Sequence, residues 1–257
     1  MKVKAILHVI EYDFKNFFRY RWFIIGLLAM NLADLFISAI VFTQMTSIVN
    51  YFQFFAPGLA VVGLFASAFM IGREINMEVR REIHHYLLSL PMTRAELAIG
   101  RVLAGGLRGM LYMTPLLITN FILLRFPTPP ELLLILLTLL LLAIGISGIS
   151  ISIAVSTTSF EKFVTARSVV YYMLFFCSSV FYPLSVIQIL ETKGLGFLVI
   201  FAEVNPLTNG SDMIRSFLLP ASNGYVFSPL MLLNVAIFSA MFGSLAIFAY
   251  MKILQRH

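Results

Sequence analysis

The chain has 257 residues, of which 60% are hydrophobic and only 12% are charged, and its formal net charge is +6 at pH 7. Globular domains average about 45–50% apolar and about 25% charged residues, so this composition excludes a water-soluble domain and predicts a polytopic membrane protein. Nucleic-acid binding is excluded as well, because no polar segment is long enough to carry a basic patch. The single cysteine, Cys177, excludes an internal disulfide and a multi-cysteine metal site.

The N-terminal segment, residues 1–21, has the pattern of an amphipathic helix. Its polar residues recur on one face at helical spacing: Lys4, His8, Glu11 and Lys15. Its apolar residues recur on the other face: Ile6, Ile10, Phe14 and Phe17. A helix with two such faces lies in the plane of a membrane surface, so we predict an interfacial helix here.

Six apolar runs follow, each close to the ~20 residues that cross a bilayer. They predict six transmembrane helices at residues 22–42, 54–71, 102–124, 132–153, 169–190 and 226–250. All of the 18 lysines and arginines except Arg125, Lys193 and Arg215 then fall on one side of the membrane. By the positive-inside rule that side is the cytoplasm, so both termini are predicted to be cytoplasmic in a multi-pass protein of the plasma membrane.

The connection between the second and third spans, residues 73–90, predicts a cytoplasmic helix. Its apolar stripe contains Ile75, Val79, Ile83, Tyr86 and Leu90, and Pro91 ends it. The opposite face contains Glu74, Glu78, Arg80, Arg81, His84 and His85. The helix either lies on the lipid surface or docks a cytoplasmic partner. Docking is favoured because a simple connector between antiparallel helices is only about 2–8 residues long.

The external segment between the fifth and sixth spans, residues 191–225, predicts helices that re-enter the membrane. Pro183 is expected to kink or end the fifth span. The run from Gly194 to Phe201 is too short to cross a bilayer and too apolar for a free loop. Asn205 and Pro206 then interrupt the chain before a short helix. That helix is predicted to contain Asp212 and Arg215, and a re-entrant segment of this kind lines or caps a passage.

The sequence contains no enzymatic motif that predicts catalytic, cofactor-binding or metal-binding residues. Residues 145–148, Gly-Ile-Ser-Gly, match the nucleophile pattern of rhomboid proteases, but none of the four histidines lies in a predicted span to act as a base. Small residues that allow close helix packing explain the pattern better. The sequence also lacks the H-E-x-x-H spacing of zinc proteases and the phosphate-binding loop G-x-x-x-x-G-K-[ST]. The chain is therefore not expected to be an enzyme or to bind ATP itself.

Polar residues inside the first span form one candidate site. Asn31, Asp34 and Ser38 recur at helical spacing, and a carboxylate at that depth is costly unless it faces protein or water. Three interpretations are open: a structural hydrogen bond, a position on the transport pathway or a subunit interface, and a span boundary that lies elsewhere.

Two arginines near the start of the third span are expected to behave differently. Arg101 and Arg108 are predicted to extend to the cytoplasmic headgroups rather than to bind substrate. Gly105 and Gly109 form a G-x-x-x-G face, which indicates close packing against a neighbouring helix.

The order of these features resembles the transmembrane subunits of type-2 ABC transporters, the exporter group that includes daunorubicin-type drug efflux permeases, polysaccharide exporters and nodulation-factor exporters. The resemblance covers essentially the whole chain. It rests on short motifs in the same order: Pro57-Gly58-Leu59, Glu74, Leu87–Thr93 (Leu-Leu-Ser-Leu-Pro-Met-Thr), Phe181-Tyr182-Pro183-Leu184, Asn205-Pro206-Leu207-Thr208, Asp212 and Arg215.

The resemblance implies an all-α subunit with six spans, a surface-lying N-terminal helix, a cytoplasmic coupling helix and re-entrant external helices. Two permeases, either two copies of this chain or this chain and a similar one, would join two ATP-binding subunits that hold ATP and Mg²⁺. The complex, with membrane lipid around it, would export a hydrophobic or amphipathic substrate such as a drug, a lipid or a glycan-lipid.

A stand-alone secondary transporter or an intramembrane enzyme is the alternative. Ion-coupled carriers usually place ionisable groups near the midplane and often contain internal repeats. Asp34 is the one strong candidate for such a group, and the two halves of the sequence show no repeat. The sequence therefore favours the ATP-driven exporter.

Overall fold

The computed structural model describes residues 3–19, 21–45, 51–89, 91–157, 159–189, 191, 194–220 and 224–255. These residues form twelve helices and no strand, which confirms the all-α class. The helices are α1 (Val3–Arg19), α2 (Arg21–Met45), α3 (Tyr51–Phe69), α4 (Ile71–Arg80), α5 (Ile83–Leu88), α6 (Arg94–Leu123), α7 (Pro129–Ser156), α8 (Phe160–Phe176), α9 (Leu184–Gln188), α10 (Gly196–Val204), α11 (Pro206–Leu218) and α12 (Pro229–Ile253).

Within the described residues, four helical segments are long and apolar enough to cross a membrane. They are Tyr51–Arg80, which joins α3 to α4, and the helices α6, α7 and α12. These contain or overlap the predicted spans 54–71, 102–124, 132–153 and 226–250. The predicted spans 22–42 and 169–190 remain predictions: several side chains of α2 lie outside the described residues, and α8 has only 17 residues.

The long helices begin at residues whose side chains satisfy the free backbone N–H groups of a first turn. At the start of α6, the Thr93 hydroxyl accepts a hydrogen bond from the Glu96 N–H at 3.2 Å, and the Glu96 carboxylate accepts one from the Thr93 N–H at 2.9 Å. This reciprocal pair is a capping box. The capping box fixes the start of α6 at Arg94, so Arg101 lies two turns inside the helix.

The predicted cytoplasmic helix 73–90 is divided differently in the structure. The chain continues from α3 through a turn at Met70 into α4, and the helix ends at Arg80. Glu82 then has a φ of 58°, in the left-handed region, and the short helix α5 follows. The division arises because Ile71 and Ile75 fix α4 in the core, whereas Arg80 to Glu82 are exposed and free to turn. Leu90 lies outside the described residues.

The predicted fifth span, 169–190, also ends earlier than expected. Helix α8 stops at Phe176, and the short helix α9 begins only after Pro183. The side-chain amide of Asn205 donates hydrogen bonds to the carbonyl oxygens of Leu174 (2.9 Å) and Cys177 (2.8 Å). A residue distant in sequence therefore satisfies the carbonyl groups at the end of α8, where a continued helix would have used them itself.

The segment that was predicted to be external contains the two helices α10 and α11, with Asn205 between them. Helix α11 is buried along most of its length and packs against α3, α7 and α12, whereas α10 packs on α9. Asn205 caps α11 by accepting a hydrogen bond from the Leu207 N–H at 2.9 Å, and Pro206 occupies the first turn. The depth of these helices in a membrane stays a prediction.

Small residues bring the long helices close together. A Cβ atom at Gly148 would lie 2.4 Å from the Phe242 carbonyl oxygen, so α7 can approach α12 here only with glycine. A Cβ atom at Gly105 would lie 2.3 Å from the Ser147 hydroxyl oxygen. These contacts confirm that residues 145–148 and the G-x-x-x-G face of α6 serve helix packing.

Candidate functional site

Five charged side chains meet at one end of the bundle, where α1, α4 and α6 join. We call this group the Arg101–Arg108 cluster, and it comprises Asp13, Glu74, Glu78, Arg101 and Arg108. Arg101 is fully buried, and its guanidinium donates to the Asp13 carboxylate at 2.6 Å and to both Glu78 carboxylate oxygens at 2.7 and 2.5 Å. The contacts join α6 to α1 and to α4.

Arg108 lies two turns further along the same face of α6 and makes the second half of the cluster. It is also fully buried, and its Nε lies 2.8 Å from the second Asp13 carboxylate oxygen. Its two Nη atoms donate to Glu74 at 2.7 Å and to the Asp13 backbone carbonyl at 2.8 Å. The ring of Phe17 lies 5.2 Å below the guanidinium. Asp13 therefore bridges the two arginines, and each arginine also holds one glutamate of α4.

Asp13 is the centre of this arrangement. Burial raises the pKa of its carboxyl to about 6, while the positive charges of Arg101 and Arg108 oppose the rise. At neutral pH the carboxylate is therefore ionised, which keeps both arginines paired. A buried charge whose partners are in place fixes three helices relative to one another.

The expectation that Arg101 and Arg108 reach the headgroups is wrong. Both side chains have no exposed surface, because carboxylates from α1 and α4 lie at the same level of the bundle. Pairing inside the protein replaces the contact with water or lipid that a long basic side chain otherwise seeks.

The six residues predicted to dock a partner fall into three pairs. Glu74 and Glu78 belong to the Arg101–Arg108 cluster, and Glu78 is buried. Arg80 and Arg81 are exposed at the end of α4. His84 and His85 lie in α5, but their side chains lie outside the described residues. The exposed basic pair Arg80 and Arg81 thus follows the acidic pair Glu74 and Glu78, whose carboxylates are paired inside the bundle.

A second buried charge lies on α11, and we call its surroundings the Arg215 cluster. The Arg215 guanidinium is fully buried and donates to the Asp212 carboxylate at 2.7 Å. It also donates to the carbonyl oxygens of Phe54 (3.0 Å), Ser179 (2.9 Å) and Val180 (3.1 Å). One side chain therefore ties α11 to α3 and to the chain that follows α8.

The two clusters lie at opposite ends of the bundle. Helices α3 and α6 are antiparallel, and the Asn120 amide donates to the Ala56 carbonyl oxygen at 3.1 Å, close to Phe54. Arg101 and Asn120 are about 28 Å apart along α6 at ~1.5 Å per residue. That distance is nearly the ~30 Å thickness of a bilayer core.

The predicted external motif is drawn together around the Arg215 cluster. Asn205 and Pro206 begin α11, Asp212 and Arg215 form its ion pair, and Pro183 precedes α9. Gly58 of the Pro-Gly-Leu motif belongs here too: a Cβ atom there would lie 2.8 Å from the Val180 carbonyl oxygen and 3.1 Å from an Arg215 nitrogen. Motifs from three parts of the chain therefore meet at one end.

The polar residues of the first span are described in part. The Asn31 amide donates to the Tyr112 hydroxyl at 2.8 Å, so this side chain faces α6 and makes a hydrogen bond within the protein. Asp34 and Ser38 lie in α2, but their side chains lie outside the described residues.

Sequence reasoning missed Asp13, Ser179 and Tyr112. Asp13 carried a signal, because it lies four residues after Val9 and four before Phe17, on the buried face of α1. An acid in the middle of an apolar helical face indicates a buried positive partner. Ser179 and Tyr112 had no comparable signal.

Across the part of the chain that the structure describes, no group of three or more histidine, cysteine, aspartate or glutamate residues could hold a metal ion. The family model described as ABC-2 type transporter matches residues 4–219, which include α1 to α11 and both charge clusters. No curated protein matches the chain.

Proposed function

The chain belongs to the ABC-2 type transporter family, and we propose that it is the permease subunit of an ATP-driven exporter in the plasma membrane. In this proposal a separate ATP-binding subunit hydrolyses ATP with Mg²⁺, since the sequence has no phosphate-binding loop. Two permeases, identical or similar, form the pathway for a hydrophobic or amphipathic substrate such as a drug, a lipid or a glycan-lipid. Both termini lie in the cytoplasm.

The observation that carries the proposal is the connection from the exposed end of α4 to the membrane helices. Arg80 and Arg81 are exposed, whereas Glu74 and Glu78 on the same helix are paired with Arg108 and Arg101. A force on α4 and α5 therefore reaches α6 and α1 through charged contacts and reaches α3 through the nearly continuous helix Tyr51–Arg80. Such a connection lets a partner's movement act on the pathway.

We assign the docking surface to Arg80, Arg81, His84 and His85. Glu74 and Glu78 fix α4 to the bundle through their ion pairs with Arg108 and Arg101. A partner whose two states contact this surface differently would shift the permease between two conformations. Coupling to ATP hydrolysis requires such a difference between the contacts of the two partner states. The permease itself does not need to bind a nucleotide.

The pathway itself is proposed to lie between two permeases and to be lined by parts of the first, second and fifth spans. Asn31, Asp34 and Ser38 face protein or water in this arrangement, because a lipid-facing carboxylate at mid-span costs about 2.5–3.5 kcal/mol. In this proposal the external helices close the outer end of the pathway. Their conformation is stabilised by the residues of the external motif: Pro183, Asn205, Pro206, Asp212 and Arg215.

Charge reversal tests the docking surface. We expect Arg80→Glu with Arg81→Glu to weaken assembly with the ATP-binding subunit at least about tenfold, which is ~1.4 kcal/mol, because the reversal removes the positive charges that the proposed docking surface presents to the partner. Assembly is measured by co-purification and the coupling by the ATPase rate of the complex.

The matched control is Lys4→Glu with Lys252→Glu, which makes the same change in net charge at two other exposed positions. It should leave assembly and ATPase rate unchanged. If the Arg80 and Arg81 variant also assembled and hydrolysed ATP normally, α4 and α5 would lie on the lipid surface and the docking role would be wrong.

A further inference from the structure

A cleft between α3, α4 and α8 contains two arginines that differ from the buried arginines of the charge clusters. The cleft has a volume of about 280 Å³ and is lined by Ala66, Met70, Arg73, Arg167, Tyr171 and Tyr172, among others. Arg73 and Tyr172 are exposed at its opening, and Arg167 is half-buried inside. We call this the cationic cleft. Its volume is several times the ~30 Å³ share of one water molecule.

Neither arginine of the cationic cleft forms an ion pair within the described chain. Arg101, Arg108 and Arg215 each hold a carboxylate at 2.8 Å or closer. By contrast, the groups whose charges act on Arg167 are Tyr171 and the second arginine, Arg73, and no carboxylate among the described residues takes part.

Arg167 is also incompletely satisfied. Its Nε is buried and has no hydrogen-bond acceptor among the described residues, and its guanidinium lies 5.4 Å from the centre of the Phe69 ring. A buried donor without an acceptor is costly, and a second positive charge beside it adds repulsion. An anion in the cleft would relieve both effects.

The aromatic residues give the cleft a fixed shape. Tyr171 stacks on Phe65 with ring centres 4.5 Å apart and contacts Phe69 at 5.7 Å and Phe175 at 5.8 Å. Tyr171 and Tyr172 both line the cleft. The cleft therefore combines two guanidinium groups with two tyrosine side chains over an apolar floor.

We propose that the cationic cleft binds the phosphate-type headgroup of an anionic amphiphile. Planar guanidinium groups donate paired hydrogen bonds to phosphate oxygens, and tyrosine hydroxyls add single donors. Ala66, Met70 and the stacked rings contact the apolar part of the molecule. Arg73 adjoins Glu74 of the Arg101–Arg108 cluster, so the headgroup lies at the end of the bundle that carries most basic residues.

The inference rests on the proposed export function and deepens it, because the cleft lies between the proposed second and fifth spans. An amphiphile held there by its headgroup stands at the inner mouth of the proposed pathway. The chemical class of the ligand is thus a phosphate monoester or diester attached to an apolar chain, either a membrane lipid or a transported molecule.

The test measures binding by the full permease in neutral detergent, using native mass spectrometry with dioctanoyl phosphatidic acid as the probe. Dioctanoylglycerol, which lacks the phosphate, and inorganic phosphate, which lacks the chains, are the comparison ligands. The variant is Arg73→Gln with Arg167→Gln, and Lys4→Gln with Lys252→Gln is the control with the same loss of charge. Thermal unfolding of each variant checks the fold.

We expect phosphatidic acid to bind the unmodified chain and the control equally, and to bind the Arg73 and Arg167 variant at least tenfold more weakly. Arg167→Lys should retain part of the binding, since it keeps the charge. Inorganic phosphate should bind more weakly than phosphatidic acid, because it lacks the apolar chains, and equal binding of the two would contradict an amphiphile as the ligand.

Equal binding of phosphatidic acid by the variant and the unmodified chain would overturn the proposal, as would equal binding of dioctanoylglycerol. Loss of permease pairing without loss of lipid binding would assign the cleft to a protein contact instead. The binding assay uses the permease without an ATP-binding subunit. Its result therefore tests the cleft even if the proposed export function is wrong.

Discussion

Replacing Asp13 by alanine is expected to lower the free energy of unfolding by about 3–5 kcal/mol. In the unmodified protein, Arg101 and Arg108 share the Asp13 carboxylate, and each arginine also pairs with one glutamate. The substitution leaves each buried guanidinium with its glutamate alone. Removing one partner from a buried ion network carries a cost of this size because the remaining charges stay desolvated. Unfolding in detergent, followed by circular dichroism during a denaturant titration, measures the change.

Glu11→Ala is the matched control, since it removes a carboxylate from the same helix at an exposed position beside Lys15. It should leave unfolding unchanged. Asp13→Asn keeps the size of the side chain and loses the charge, so it should destabilise nearly as much as alanine. If Asp13→Ala unfolded like Glu11→Ala, the Arg101–Arg108 cluster would not hold α1 to the bundle.

Arg215→Met is expected to have an effect of similar size at the other end of the bundle, about 3–5 kcal/mol. The substitution strands the buried Asp212 carboxylate and removes the donor from the Phe54 and Val180 carbonyl oxygens. Arg125→Met is the control, because Arg125 lies at the same end, pairs with Glu131 and is about half exposed. An exposed pair contributes at most about 1 kcal/mol.

A double variant separates the ion pair from the other contacts of Arg215. Arg215→Met with Asp212→Leu removes both charges, so it should recover part of the stability that Arg215→Met alone loses. Equal stability of Arg215→Met and Arg125→Met, or no recovery in the double variant, would show that the Arg215 cluster does not depend on its charge pair.

The all-α class and the positions of four spans were predictable because apolar runs of about 20 residues have few structural solutions in a membrane. The ends of helices were harder to predict than the spans, because some of them are determined by residues distant in the sequence. Asn205 ends α8 through carbonyl groups 31 and 28 residues away, and no local pattern indicates such a contact. The break at Glu82 likewise depends on α4 being fixed in the core.

The candidate site was predictable only in part, because neither Asp13 nor the pairing of the buried charges was identified from the sequence. The sequence indicated four of the charged residues: Glu74, Glu78, Asp212 and Arg215. Glu74 and Glu78 were predicted to lie on a docking face, whereas the structure pairs them with Arg108 and Arg101. Arg101 and Asp13 are separated by 88 residues. The pairing depends on how α1 lies across α6, which a single sequence does not encode in any local spacing.

ATP hydrolysis coupled to transport tests the central claim most directly. The chain and a candidate ATP-binding subunit are reconstituted in vesicles, and ATP hydrolysis and movement of a labelled amphiphile are measured for the complex and for the chain alone. We predict that both activities require the complex and that the chain alone binds no nucleotide. Nucleotide hydrolysis by the chain alone, or transport driven by an ion gradient without ATP, would contradict the account.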